Sequence, residues 1–308
     1  MGETTKPRTT PQPVTDEHHR EGRLHSSPGQ PIVLQTEFDV AAYTRDARGR
    51  IPVQADEVDF RSRREREDLA FLWRLESAAL SDTRALLASW TGNEARITAF
   101  VATWAFERLW LGHAVRDLLT ADGSPLPEPL RRGSLRARLR RVYVDRGLPL
   151  VAPVWTNIVG ESVTAGQMVR LWVQEKALQA AYRAMLPRLD GEARHVVEEI
   201  VERRDEIIRF FRLEATVRIH RSAGERRAAR LHLHRGWRPL RIVGVADPDE
   251  RLALASIFRT REDRARLREA RDEARRVIAS RPGPTTPSGG PRPTPGLLSK
   301  KGHHGIRP

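Results

Sequence analysis

Apolar residues recur three and four positions apart over four long stretches of the chain, and this spacing predicts four amphipathic helices. The first covers Arg64 to Ala88, with Leu69, Leu72, Leu75, Ala79, Leu80, Leu86 and Leu87 on one stripe. Thr91 and Glu94 have the spacing of a capping box, which predicts a second helix from there to about Thr120. Its apolar side is Ile97, Phe100, Val101, Trp104, Leu111 and Val115, and Asp122-Gly123 closes it. A third helix is predicted from about Asn157 to Leu186, with Met168, Leu171, Trp172, Leu178 and Tyr182 inward. Asp190 is read as the N-cap of a fourth, which runs to about Ile219 with Val197, Ile200, Val201, Ile207, Ile208 and Phe211 inward.

Shorter helices follow. Ser222 with Glu225 is a further capping box, Asp247-Pro248 is an N-cap followed by proline at the first helical position, and Thr260 caps a charged helix to about Ser280. Leu240 to Val245 is the single candidate strand. Helices one and two are joined tightly, as are three and four, while two and three are separated by about 30 residues containing five prolines. Two tight antiparallel pairs with one long crossover make an all-α four-helix bundle. The predicted layout is a disordered tail at 1–35, the bundle at 36–220, a helical extension at 221–280 and a Pro/Gly-rich basic tail at 281–308.

Composition narrows the chemistry. The chain has no cysteine, so disulfides, iron–sulfur clusters and thiol nucleophiles are excluded. Its N-terminus has no apolar signal-peptide core. The most apolar window, Ile97 to Val115, contains Glu107, Arg108 and His113, which argues against a membrane span. A cytoplasmic location is the expectation. Net charge is +14, and four of the 54 basic residues are lysine, so arginine supplies 50. Such a bias suits a GC-rich genome; it also suits attraction to an anionic partner, for which the Arg-rich 130–141 stretch is the candidate. No phosphate-binding loop or nucleophile elbow is present.

Charged residues interrupt the apolar stripes. Glu76 lies between Leu72 and Leu80, Glu107 among Phe100, Trp104, Trp110 and Leu111, and Glu175 among Leu171, Trp172 and Leu178. Glu161 precedes Glu175 by two heptads, about 21 Å along the helix. Arg204 holds the centre of the fourth stripe, between Ile200, Val201, Ile207 and Ile208. Inward carboxylates on bundle helices are the raw material of a di-iron or di-manganese site, because two such cations need several anionic oxygens.

Four stretches carry a resemblance. Phe71-Leu-Trp-Arg-Leu-Glu76-Ser-Ala-Ala-Leu80 resembles the first helix of bacterial ferritin-like proteins, and Ala99-Phe-Val-Ala-Thr-Trp104-Ala-Phe-Glu107-Arg-Leu-Trp110 the second. Glu175-Lys-Ala-Leu-Gln-Ala-Ala-Tyr182 resembles the third, and Glu206-Ile-Ile-Arg-Phe-Phe-Arg-Leu-Glu214 the fourth. Trp237-Arg-Pro239 and Gly244-Val-Ala are similar to the segment after the bundle in one bacterial subgroup. The likeness covers about residues 60–255 and implies a ferritin-like four-helix bundle with a carboxylate metal site. The family's ligands are one Glu from each of two helices and Glu-x-x-His from each of the other two. This chain departs from that set. The second helix has Arg108 and Leu111 where Glu-x-x-His belongs, or Glu107 and Trp110 one residue earlier. The fourth has Arg204 and Ile207, with Glu202 and Asp205 the nearest substitute, and Glu202 lies off the stripe. Both ligand histidines are missing.

Three readings result. The first is a ferritin-like bundle with a degenerate metal site and no resident cofactor, in which Arg204 neutralises Glu76, Glu107 and Glu175 and the protein binds a small molecule or a protein or serves as a scaffold. The second is an iron or manganese oxidoreductase with Glu76, Glu107, Glu161, Glu175 and Glu202 as ligands. The third is a basic nucleic-acid-associated protein. A homodimer is a candidate assembly. The His232-Leu-His234 pair with nearby His220 is a minor metal-ligand candidate, and the tryptophans are assigned to the core.

Overall fold

A computed structural model describes residues 36–127, 161–234, 237–241 and 247–280. Among them the chain is all-helical, with no strand. Neither Leu240 nor Arg241 is in a strand, and the rest of the candidate strand lies outside the described residues. So do both tails, the 130–141 stretch, Trp155 and the predicted start of the third helix at Asn157.

The elements are α1 (Val40–Arg45), α2 (Arg63–Ser77), α3 (Ala79–Leu87), α4 (Ala95–Thr120), α5 (Ser162–Met185), α6 (Gly191–Arg221), α7 (Ala223–His232), α8 (Asp247–Ile257) and α9 (Arg261–Ala279). Short 3-10 turns sit at Ala55–Glu57, Trp90–Asn93 and Leu186–Arg188. α2 starts at a full capping box between Ser62 and Glu65, and α9 at one between Thr260 and Asp263. Each satisfies two backbone N–H groups that the first turn leaves without helical partners.

Two local expectations need correction. The predicted first helix is interrupted at Ala78 and becomes α2 and α3. Thr91 is not an N-cap. It lies inside the Trp90–Asn93 turn, and α4 follows Glu94 without a side-chain cap. The Thr91 hydroxyl is engaged across the fold instead, with Thr164 at 3.1 Å and with Gln167 of α5. A third difference is smaller: Asp190 is the N-cap residue of α6, but its carboxylate pairs with Arg61 rather than with a helix N–H.

Residue pairings fix the directions. Arg66 reaches the Leu119 carbonyl and Arg108 reaches that of Leu75, so α2 and α4 are antiparallel. Glu175 meets Arg204 and Gln179 meets Val201, so α5 and α6 are antiparallel as well. Thr91–Thr164 and Trp104–Glu175 contacts show that α4 and α5 run parallel, across the bundle from each other. A parallel pair needs a connection as long as the helices themselves, which accounts for the long stretch between them in the sequence.

The buried apolar residues form two clusters. One holds Leu69, Leu72, Leu75, Leu111, Leu118, Leu178, Val197 and Ile200. The other holds Phe100, Trp104, Met168, Trp172, Ile207, Phe210 and Phe211. The C-terminal helices add to both: Ile257 and Phe258 join the first, and Ala229, Ala270, Ala274 and Ile278 the second. α7 lies so close to α5 that a Cβ on Gly166 would come within 2.1 Å of the His232 ring. Among the described residues no helix is long and apolar enough to cross a membrane.

Candidate functional site

Between the two apolar clusters lies a layer of charge. Along α4 it falls between Trp104 and Leu111, along α5 between Trp172 and Leu178, and along α6 between Ile207 and Ile200. Each of the four long helical segments contributes one residue: Glu76 from α2, Arg108 from α4, Glu175 from α5 and Arg204 from α6. All four side chains are fully buried.

The four close a ring. Arg108 Nε donates to Glu76 Oε2 at 2.8 Å, and its Nη1 donates to Glu175 Oε1 at 3.0 Å. Arg204 Nη2 donates to Glu76 Oε1 and its Nη1 to Glu175 Oε2. Every carboxylate oxygen therefore receives a guanidinium N–H, and the formal charges cancel. Helix geometry makes this placement possible, since each residue occupies the inward phase of its own stripe. The surrounding polar groups close the rest of the accounting. Tyr182 donates its hydroxyl to Glu76 Oε1 at 3.0 Å, Trp104 Nε1 donates to Glu175 Oε1 at 3.2 Å, and Arg108 Nη2 donates to the Leu75 carbonyl at 2.9 Å. Arg108 lies over the Trp104 ring at 5.6 Å and Arg204 over the Tyr182 ring at 5.5 Å. Arg204 Nε makes no hydrogen bond.

The charge states follow. Burial by itself pushes the Glu76 carboxyl up, but the Arg204 and Arg108 guanidinium groups overcome it and hold Glu76 below the usual carboxylate range. Burial works against charge on Arg108 too, and Glu175 and Glu76 more than compensate, raising its affinity for the proton. Burial, then Glu76, keeps the Tyr182 phenol neutral well above its ordinary value. Glu76 is thus held as an anion and Arg108 as a cation.

The other carboxylates singled out in the sequence are elsewhere. Glu107 is buried but points to α1 and the segment after it, accepting from Tyr43 Oη at 2.6 Å and from the Arg48 N–H at 2.9 Å. Arg204 therefore meets Glu76 and Glu175 but not Glu107. Glu161 sits at the start of α5 and pairs with Arg221. Glu202 is largely exposed, 3.8 Å from Arg48. The five do not converge, and among the described residues no three His, Asp or Glu side chains are grouped to hold a metal ion. The histidines are likewise apart: His232 Nδ1 lies 2.9 Å from the Ala228 carbonyl, His234 Nδ1 3.1 Å from that of Leu231, and His220 Nε2 3.1 Å from Ser280 Oγ.

Arg108 is the ring member the stripe reading passed over. Its signal was the parallel between Arg108-x-x-Leu111 and Arg204-x-x-Ile207. A second ionic network was also missed. Glu214, fully buried, accepts from Thr36 Oγ1 at 2.9 Å, Arg96 Nε at 3.2 Å and Arg218, which also reaches Glu94. Arg96 further donates to the Phe38 carbonyl at 2.5 Å, so this network ties the segment before α1 to α4 and α6. Burial raises the Glu94 carboxyl, with Arg218 pulling the other way.

Open space lies on the surface. A groove of about 600 Å³ is lined by Arg183, Leu186, Pro187, Arg194, Val201 and Arg266, and none of these is a ring residue. The ring itself presents filled contacts. Chemically it can fix the register of four helices and supply a neutral polar layer; it offers no free carboxylate oxygen. The chain matches no family model, no curated protein and no solved structure.

Proposed function

We propose that this protein is a ferritin-like helical bundle in which Arg108 and Arg204 stand in for the two metal cations, and that it acts as a binding or scaffold protein rather than as an oxygen-activating enzyme. One observation carries the reading: all four oxygens of Glu76 and Glu175 are bonded to the two guanidinium groups. The resemblance adds a second support. Glu76 and Glu175 lie on the two helices that would each give one Glu, and Arg108 and Arg204 occupy the positions of the Glu-x-x-His glutamates on the other two. A cation delivered to this layer would have to displace a buried guanidinium, at a desolvation cost of several kcal/mol per stranded charge.

Elemental analysis tests this. Untagged protein, purified without chelators and then reconstituted with Fe(II) or Mn(II), is expected to hold far less than one metal per chain. Stoichiometric iron or manganese, lost on Glu76→Gln or Glu175→Gln, would return the carboxylates to the role of ligands.

A further inference from the structure

Two openings on the surface are lined by arginine, and they differ in charge balance. In the groove of about 600 Å³ each guanidinium already faces carboxylates: Arg183 faces Asp205, Arg194 faces Glu198, and Arg266 faces Glu262 and Asp263. The second opening is a cleft of about 230 Å³ lined by Arg230, Leu233, Arg275, Ile278 and Ala279. It lies between α7 and α9. His220, just before α7, lies 3.1 Å from Ser280, and the Leu233 and His234 carbonyls after α7 accept from Arg271, so the two helices run antiparallel. Arg230 therefore comes from one helix and Arg275 from the other, and the buried Leu233 and Ile278 give the cleft an apolar wall.

The cations of this cleft are not neutralised. Among the described residues the Arg230 side chain has no hydrogen-bond or ion-pair partner. Arg275 has one carboxylate, Asp272 at 3.7 Å, in an exposed pair that contributes little. Arg271, one turn before Arg275, donates to the Leu233 and His234 carbonyls at 3.2 and 2.7 Å. Burial and then the Arg275 charge lower its proton affinity, with Asp272 working the other way. Its position also covers the negative C-terminal end of α7, which would otherwise repel an anion. Three guanidinium groups against one carboxylate leave a surplus of two positive charges.

That surplus and the apolar wall select the ligand. A phosphate monoester carries about two negative charges at neutral pH, and guanidinium groups bond its oxygens two at a time. The cleft is smaller than the roughly 300 Å³ at which pockets for drug-sized ligands begin, so the organic part is small. The rest of the chain offers no matching anion. Residues 281–308 carry Arg281, Arg292, Lys300, Lys301 and Arg307 with no Asp or Glu, residues 128–160 carry seven arginines against Glu128 and Asp145, and residues 1–35 balance four acidic against four basic side chains. We infer that the α7–α9 cleft binds a small phosphate monoester through Arg230 and Arg275, with its organic part on Leu233, Ile278 and Ala279. The ring of Glu76, Arg108, Glu175 and Arg204 takes no part, so this site stands or fails independently of the reading above.

Isothermal titration calorimetry of the full chain with phenyl phosphate, at fixed ionic strength, tests this. The expected result is one saturable site per chain with a Kd at or below about 1 mM. Arg230→Gln and Arg275→Gln are each expected to weaken binding at least about tenfold, with the circular dichroism spectrum unchanged because both side chains are exposed. Arg266→Gln, in the charge-balanced groove, is expected to leave binding unaltered. Benzoate, a monoanion with the same ring, and inorganic phosphate, which lacks the ring, are each expected to bind at least about tenfold more weakly. Absence of saturable binding overturns the inference, as does binding indifferent to both cleft substitutions. Equal loss in Arg266→Gln would reduce the site to diffuse surface charge, and equal binding of benzoate or inorganic phosphate would contradict a monoester site.

Discussion

Arg108 on α4 and Arg204 on α6 each bridge Glu76 and Glu175, approaching the two carboxylates from opposite sides of the ring. Neither arginine is redundant. Each carboxylate takes one guanidinium on each oxygen, so the loss of either cation leaves two buried anions half-compensated. Buried ion pairs gain little over apolar packing, but a broken one is costly. The ring is thus a specificity element: it penalises every register of the four helices except the one that closes it.

Arg204→Met is expected to destabilise the protein by about 3–5 kcal/mol, measured by denaturant unfolding. Adding Glu76→Gln and Glu175→Gln is expected to recover most of that loss, because the stranded charges go with it. Recovery separates the electrostatic account from a simple packing defect, which the glutamines would not repair.

The acid limb of stability carries the same signature. Glu76 is held below its ordinary value, so its contribution is fully present above about pH 4.3 and is lost as pH falls through the folded-state value. Glu76→Gln is expected to flatten the stability profile below that pH and leave the slope above it unaltered.

Gly166 is where α7 comes closest to α5. Gly166→Ala would drive a Cβ to 2.1 Å from His232 Nδ1, and that ring is held in place at the Ala228 carbonyl. An overpacking cost of about 1–3 kcal/mol is expected. In a double-mutant cycle His232→Ala should relieve most of it; an additive result would place the clash elsewhere.

His232 also predicts a pH effect. Burial lowers its proton affinity, and nearby Arg170 and His234 lower it further, against the raising effect of the Ala228 carbonyl. The imidazole is neutral when folded and takes up a proton more readily when unfolded. Its stabilisation is therefore present above about pH 6.5 and falls as pH drops below that toward the folded value. Thermal melting across this window should depend less on pH in His232→Gln than in the parent.

Among the described residues no arginine side chain is bonded to Glu107. Its carboxylate is held by the Tyr43 hydroxyl and the Arg48 N–H, and burial, reinforced by Glu107, raises the Tyr43 phenol well above its ordinary range. Tyr43→Phe is expected to cost about 1–3 kcal/mol, with amide exchange rising in residues 38–48 before it rises in α5. Uniform exchange across both would contradict a local role.

What was legible in the sequence was set by what local patterns encode. Stripes placed α4, α5 and α6, because each helix buries a continuous face. Polar residues inside those stripes marked Glu76, Glu175 and Arg204 as buried. Phase was harder on α4, which is buried on more than one side: Glu107 and Arg108 are both inside, yet they face different neighbours. Arginine usually lies on surfaces, so Arg108 was passed over. Glu161 slipped for a different reason. Two heptads on a 3.6-residue helix drift by about 40°, and Glu161 ends beside Arg221 rather than above Glu175. Thr91 shows tertiary contact overriding a local signal. Its spacing to Glu94 is that of a capping box, but its hydroxyl is taken by α5.

The most direct test of the arginine-for-metal account is to rebuild the ligand set. Arg108→Glu, Leu111→His, Arg204→Glu and Ile207→His together supply the two missing Glu-x-x-His pairs beside Glu76 and Glu175. Cobalt(II) binding, followed by its visible absorption and by equilibrium dialysis, is compared in the parent and the fourfold variant. The account predicts about two cobalt ions per chain in the variant and none bound in the core of the parent. Equal binding by the parent, or a folded variant that takes up no cobalt, would contradict it.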